Sequence, residues 1–323
     1  MQLDNESTFD AKVQVADLMK DELRGVVIVK STFDIHPDGR LTVSDAPMPM
    51  VLDRLETPFG EIHGELFFNK QGADVCLLGS VKRKAPVKEA WLRLVVGERV
   101  DELVVYGDRF WLPRVHGPGL EPSAPHPFTE LPLGYHYTYG GSSEYNGMDV
   151  ALADNPVGRG YYIDQEQAEK NRLPNIEPAR GPHVRHWDDK GEIVGWGPYP
   201  MYWGLRASRS VDIDDRSKMV SKIHPRLFNH AHPRLCIPKL PPGQPIQVYG
   251  MREHPFELRV PELPVQVELM LGERSTPLDA PIDGVFAWVD AKKLVVTQRA
   301  RFGYQMRAKE IRKVTVRPAH PYS

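Results

Sequence analysis

Residues Arg24 to Phe33 carry β-branched and apolar side chains at nearly every position, and Pro37-Asp38-Gly39-Arg40 follows before Leu41-Thr42-Val43. This pattern predicts a hairpin. The flanking residues suit a pleated surface, and proline and glycine set the backbone angles of the turn. Similar strand patterns cover Ile62 to Asn69, Asp74 to Arg83, Ala90 to Val96, Glu102 to Tyr106 and Arg109 to Leu112, divided by glycine or charged turns. They resume at Ile246 to Tyr249, Phe256 to Val260, Val265 to Leu271, Val285 to Val289 and Leu294 to Arg301.

Between about Pro113 and Pro242 the alternation fades, and aromatic residues and glycines replace it, as in Gly134-Tyr135-His136-Tyr137-Thr138-Tyr139-Gly140-Gly141. A structureless stretch this long is uncommon in a compact domain. Its tyrosines and tryptophans offer enough buriable surface to pack over a sheet, so ordered loops are expected, with short helices near Asp164 to Asn171 and Ser217 to Ile223. The expected fold is mainly β, with antiparallel, sandwich-like sheets, a long irregular aromatic- and Pro/Gly-rich central region and few short helices. Within one region spanning 1–323, the pattern divides into an N-terminal β region over 1–115, an irregular centre over 116–240 and a C-terminal β region over 241–323. Gly97-Glu98-Arg99 and Gly272-Glu273-Arg274 each sit between strand-like runs. Either two related sandwiches or a common polar hairpin tip explains that echo. The tail from Ala308 to Ser323 reads as a loosely held arm.

Composition sharpens this picture. The chain has 30 prolines in 323 residues, about twice the usual ~5%. Long helices are thereby excluded from much of the centre, since each interior proline costs about 3 kcal/mol. Hydrophobic residues at 41% and charged residues at 26% are those of a soluble globular chain, and the formal charge of -2 supplies no global field to hold nucleic acid. The polar start, Met1 to Asp10, has no basic or apolar stretch resembling a secretory signal, and no apolar run approaches the length of a membrane span. A cytoplasmic protein without membrane or nucleic-acid partners is expected. Cys76 and Cys236 lie in apolar strand-like runs and read as small buried hydrophobes; their spacing supports no zinc site.

Few residues suggest catalysis. His183 and His186 stand beside Asp188 and Asp189, and His224, His230, His232 and His254 follow, but none forms the helical pair of a zinc protease. No GxSxG elbow is present, and Gly141-Ser142-Ser143 reads as a turn. Gly158-Arg159-Gly160 resembles a phosphate cradle only superficially, because neither a Walker pattern nor a strand-glycine-helix context surrounds it. A structural arginine whose fork bridges carbonyls or a carboxylate such as Glu177 is the favoured role. Lys82-Arg83-Lys84 and the group Arg299, Arg301, Arg307, Lys309, Arg312 and Lys313 are the concentrated positive runs: solvated strand faces or a docking patch for an acidic segment. No cofactor or metal is expected.

A run of motifs along nearly the whole chain carries a resemblance. Val26-Val27-Ile28-Val29-Lys30-Ser31-Thr32-Phe33 with Asp38-Gly39 opens it, followed by Lys70, Ala73-Asp74-Val75 and Gly79. Gly107-Asp108-Arg109-Phe110-Trp111, Leu131-Pro132-Leu133 and Tyr139-Gly140-Gly141 come next. The central block is Val150 to Tyr162, including Asn155-Pro156-Val157-Gly158-Arg159-Gly160, with Leu173-Pro174-Asn175-Ile176-Glu177 just after it. Gly195-Trp196-Gly197-Pro198 with Trp203 and Arg206, and Pro225-Arg226-Leu227-Phe228-Asn229, complete the set. These blocks resemble the domain of unknown function 2169 family of bacterial proteins. His230 and His232, and the stretch after Arg206, depart from that pattern.

The resemblance implies a non-enzymatic adaptor or chaperone of type VI secretion, which binds an effector, a PAAR protein or the spike and promotes effector loading. Asn155, Pro156, Gly158, Arg159, Gly160, Asn175 and Glu177 are then a structural motif. Tyr135, Tyr137, Tyr139, Trp196, Tyr202, Trp203 and Arg206 are the candidate partner contacts, with core packing the competing role for the tryptophans. The alternative is an effector-modifying or metal-dependent enzyme using His183, His186, Asp188 and Asp189. Oligomeric state is not legible in the sequence.

Overall fold

The protein is described by a computed structural model covering residues 1–19, 22–207, 211–215, 220–305 and 312–319. Its frame strands in chain order are β1 (Gln2–Asn5), β2 (Asp10–Met19), β3 (Glu22–Ile35), β4 (Leu41–Val43), β5 (Ala73–Leu78), β6 (Glu89–Val96), β7 (Arg99–Tyr106) and β8 (Ile176–Pro178). They continue with β9 (Cys236–Ile237), β10 (Pro245–Tyr249), β11 (Phe256–Arg259), β12 (Val265–Leu271), β13 (Arg274–Leu278), β14 (Ile282–Trp288), β15 (Lys293–Gln305) and β16 (Arg312–Pro318).

Three sheets make the frame. The largest runs β2-β3-β15-β14-β5-β9, with β4 also on β3. A second runs β8-β7-β6-β10-β11, and a third β1-β16-β12-β13. Most ladders are antiparallel, but β14 runs parallel to β5, with Val285 opposite Val75, and β1 runs parallel to β16. Parallel neighbours need a long crossover. Between β5 and β14 that crossover contains the whole central region, so the irregular stretch is wrapped by strands from both ends of the chain. The large sheet takes strands from all three stretches of the sequence.

Strand period explains how the large sheet serves two cores. Successive side chains alternate between faces, so Leu23, Val27, Val29 and Phe33 of β3 share one face. Leu23, Val27 and Val29 pack with Val265, Val267, Val314 and Val316 of the third sheet. Phe33 joins the other core, with Leu77, Leu92, Leu94, Leu103, Val248 and Val295, against the second sheet. The Phe9 and Phe33 rings, 6.2 Å apart, bring the two together. On the opposite face of β3, Val26 and Ile28 pack under Met50, Leu66 and Phe68. The repeated tripeptides are hairpin tips: Gly97 between β6 and β7 has φ 58°, and Gly272 between β12 and β13 has φ 60°.

Three local expectations are corrected. The strand pattern over Ile62 to Asn69 is a strand only through His63. Beyond it the chain leaves the ladder because Glu65 turns inward, accepting hydrogen bonds from the Val51 amide at 2.6 Å and Lys30 Nζ at 2.8 Å. The tail is no free arm over Arg312–Pro318, which pairs between β1 and β12 and buries Val314 and Val316. Of the helix expected at Ser217 to Ile223, Ser217, Lys218 and Met219 lie outside the described residues, and Val220–Ile223 is a strand. The other expected helix is present as one turn, α1 (Gln165–Ala168), capped by Asp164 accepting from the Gln167 amide.

Candidate functional site

The motif blocks come together as two polar networks. The first is a clamp around the central signature. Asn155, fully buried, donates from Nδ2 toward Tyr135 O, Thr138 Oγ1 and Tyr139 O at 2.9 to 3.0 Å. Its amide thereby ties down the backbone of Tyr135–Tyr137 and the strand after it. Gly158 is required by closeness, because a Cβ there would lie 2.5 Å from Asn155 Nδ2 and 2.7 Å from Thr138 O. Gly160 has φ +99° and abuts Pro174, so a side chain is excluded on both grounds.

Arg159, between those glycines, donates from Nε to His136 O at 2.9 Å and from Nη1 to Asn175 Oδ1 at 2.7 Å, and its guanidinium covers the Tyr137 ring. Its carboxylate partner is Asp108, 3.4 Å away, and not Glu177. Glu177 is taken by Arg109, whose Nη2 lies 3.0 Å from Oε1. Burial raises the Glu177 pKa, and Arg109 works against that rise. Asn175 closes the clamp by donating to Tyr106 O and Asp108 Oδ1. Pro156 is partly buried in the turn between Asn155 and Gly158. Asp108 and Arg109 are adjacent in sequence yet serve different partners, which fixes the end of β7 against β8.

The second network is a buried ionic centre under the large sheet. Lys70 Nζ lies 2.8 Å from Asp74 Oδ2 and 3.8 Å from Asp283 Oδ1. Arg299 Nε lies 2.6 Å from Asp283 Oδ2, and the Arg299 guanidinium lies over the Phe67 ring. The Lys30 and Glu65 pair, 2.8 Å apart, is equally buried, so the positive and negative charges of this centre balance. Burial raises the Asp74 and Asp283 carboxyls, but Lys70 and His230 together outweigh it at Asp74, and Lys70, Arg299 and Thr297 at Asp283; each is held below the usual range. Asp74 also accepts from the His230 amide at 2.6 Å, Asn229 Nδ2 at 2.8 Å and Cys236 Sγ at 3.5 Å.

His230 stacks on His63 with ring centroids 4.0 Å apart. Burial, reinforced by neighbouring His230 and Arg206, pushes His63 far below the ordinary imidazole range. Burial also lowers His230. These two departures from the family pattern have structural roles: His230 sits in the centre, and His232 caps the next turn by accepting from the Arg234 amide.

Beside this centre opens a cavity of about 500 Å³. Gln71, Arg99, Arg206, Arg226, Asn229 and Cys236 supply its polar wall, and Leu205, Ala231, Pro233, Ile237 and Pro238 its apolar one. Arg206 belongs to the short helix α2 (Gly204–Ala207) and donates to Tyr199 O and Leu227 O, while its buried Nε has no partner. Burial brings its pKa down to about 10, with Asp74 opposing the shift.

Most of the expected partner contacts lie inside the protein. Tyr135, Tyr139, Trp196, Trp203 and Arg206 are buried. Tyr135, Tyr199 and Trp203 pack edge to face, and Trp196 Nε1 donates to Asp101 Oδ2 at 2.8 Å. In the protein by itself these residues pack as internal supports, and Arg206 alone among them lines the cavity. Tyr137 is partly covered by Arg159, and Tyr202 is 59% exposed with its hydroxyl donating to Glu61.

The histidine-aspartate cluster forms a turn. Asp189 accepts from the Arg185 and His186 amides at 2.8 Å, and the His183 ring meets Pro178 O at 3.0 Å. Among the described residues no group of three or more His, Cys, Asp or Glu is placed to hold a metal. In the basic runs, Lys82 pairs with Glu130 and Asp290, Arg299 is the buried centre residue, and Arg307 and Lys309 lie outside the described residues. Sequence reasoning missed Arg99, Arg226, Asn229 and His63. The available signal was charge inside apolar strand runs, as at Lys30, Asp74 and Arg299, since such groups are buried only when paired.

These features define a mainly β protein with a hydrogen-bonded central clamp and an arginine-lined cavity; no helix among the described residues is long and apolar enough to cross a membrane. The family model described as an uncharacterized protein conserved in bacteria, domain of unknown function 2169, matches residues 20–299, and the chain belongs to that family. Neither the curated proteins nor the solved structures contain a match.

Proposed function

We propose that this protein is a cytoplasmic adaptor or chaperone of bacterial type VI secretion that binds an effector, a PAAR spike-tip protein or both, and promotes loading onto the spike. The motif blocks that carry the family resemblance support this reading. So does the cavity beside Arg206, the observation on which the reading chiefly rests. It combines the positive charge of three arginines with an apolar wall, a mixture suited to a protein segment. The clamp holds the surrounding loops in one shape before any partner arrives, which lowers the entropy cost of binding. The histidine-aspartate turn, by contrast, uses its carboxylate on backbone amides.

The test is co-expression with the neighbouring PAAR protein and effector, followed by purification through a tag on this chain. Retention of either partner through size-exclusion chromatography is the expected result. Separation of all three under low and moderate salt would sink the reading.

A further inference from the structure

We propose that the cavity beside Arg206 binds a carboxylate borne on an apolar peptide segment, the carboxylate being either a C-terminus or an acidic side chain of a partner. This deepens the adaptor reading and rests on it for the source of the peptide. The cavity itself specifies the chemistry. Three guanidinium groups line it, from Arg99, Arg206 and Arg226, and among the described residues no carboxylate does. Arg206 is 4% exposed and both its terminal nitrogens are engaged by carbonyls, so it gives the cavity positive charge and no free N–H. Arg226 donates from Nε to Gln71 Oε1 at 2.9 Å, a neutral acceptor, and makes no ion pair with another described residue. Arg99 is exposed at the β6–β7 hairpin tip.

Asp74, the acid whose charge acts on Arg206, is itself matched by Lys70. A carboxylate entering here gains charge-assisted hydrogen bonds from the exposed Arg99 and Arg226 and is drawn by the buried positive charge of Arg206 behind them. The wall of Leu205, Ala231, Pro233, Ile237 and Pro238 offers nothing to a fully hydrated ion but suits aliphatic side chains. Guanidinium matches a planar carboxylate in shape, and a singly charged carboxylate sheds its water at lower cost than a phosphate dianion.

The probes are N-acetyl-Leu-Leu with a free carboxylate, its C-terminal amide, N-acetyl-Leu-Glu-Leu-amide and inorganic phosphate, each titrated into the purified full chain by ligand-observed NMR. Binding by either carboxylate peptide at least tenfold tighter than by the amide supports the inference, and the tighter of the two identifies the source. Arg226→Gln and Arg99→Gln alter exposed side chains and leave the fold intact; each is expected to weaken carboxylate binding about tenfold, a loss of about 1.4 kcal/mol. Equal binding of the amide, unchanged affinity in both variants, or phosphate binding tighter than either peptide would each overturn it. An effector that co-purifies undiminished with the Arg226→Gln, Arg99→Gln chain would also count against this cavity while leaving the adaptor reading intact.

Discussion

Lys70 and Asp74 form an ion pair of 2.8 Å with side chains 2% and 0% exposed, so their charges are matched almost wholly out of water. The pair joins β5 to the loop before it. Through Asp283 it reaches β14, and through Asn229 and His230 the wall of the cavity. A pair this deep adds little net stability compared with an apolar substitute, but its half-removal is severe.

Asp74→Asn is therefore expected to destabilise the protein by about 3 to 5 kcal/mol, because Lys70 keeps only the 3.8 Å contact with Asp283. Equilibrium urea unfolding measures it. Replacing Lys70 by Met together with Asp74 by Leu should cost less than Asp74→Asn alone, and the reverse order would show that the pair is not an isolated charge balance.

Much of the frame is legible in the sequence, because alternation and β-branched runs report burial on a pleated surface directly. That is why β6, β10, β12 and β14 fall where Ala90, Ile246, Val265 and Val285 suggested. Pairing is not legible in the same way. Asp283 and Lys70 lie more than two hundred positions apart, and no local pattern selects one lysine for that carboxylate. Arg159 illustrates the limit. Glu177 was the carboxylate expected for it, but Arg109 occupies Glu177 from the other side and Arg159 pairs with Asp108. The aromatic centre misled for a related reason: tyrosine and tryptophan suit interfaces and cores alike, and edge-to-face packing of Tyr135 with Tyr199 depends on where the loops fold.

Acid should weaken the fold through the stacked histidines. His63 and His230 are both depressed by burial, so each takes a proton in the folded protein only at lower pH than in the unfolded chain, which does so below about pH 6.5. No such difference exists above that pH. As pH falls from about 6.5 toward 5, each histidine removes up to about 1.4 kcal/mol per pH unit. Asp74 and Asp283 are depressed carboxylates, so their contribution is lost only at lower pH. His63→Phe should flatten the stability curve between pH 6.5 and 5, as read by urea midpoints across that window. Parallel curves for the variant and the parent would show that His63 protonates in the folded state.

Arg159→Ala should lower the melting temperature without any partner present. It removes the bonds to His136 O and Asn175 Oδ1 and uncovers Tyr137, in a side chain 17% exposed. Charge-assisted hydrogen bonds of this kind contribute about 1.5 to 3 kcal/mol, and partial exposure favours the lower end. Arg159→Lys should recover little, since an ammonium cannot reach both acceptors in one plane. An unchanged melting curve combined with lost partner binding would move the motif from scaffold to interface.

His183→Ala with His186→Ala should leave effector loading intact. The Asp189 turn is held by backbone amides that neither substitution removes. Metal content, measured on the same samples, is expected to be the same in variant and parent. A folded double variant that fails to load its effector would revive the enzymatic reading.

The adaptor reading makes its strongest demand in cells. If the protein holds a partner segment before secretion, the segment is exposed when the protein is missing, and exposed apolar strands or tails aggregate or are degraded. Deleting the gene should therefore lower the abundance of the cognate effector, or leave it off the spike, while the apparatus continues to export its tube protein. Complementation with Arg226→Gln, Arg99→Gln should restore folded adaptor but only part of the effector loading, because those side chains carry the cavity's exposed charge and none of the buried centre. Loss of tube export as well would indicate a structural part of the machine. Normal effector loading in the deletion strain would end the adaptor hypothesis, whatever peptides the cavity binds in isolation.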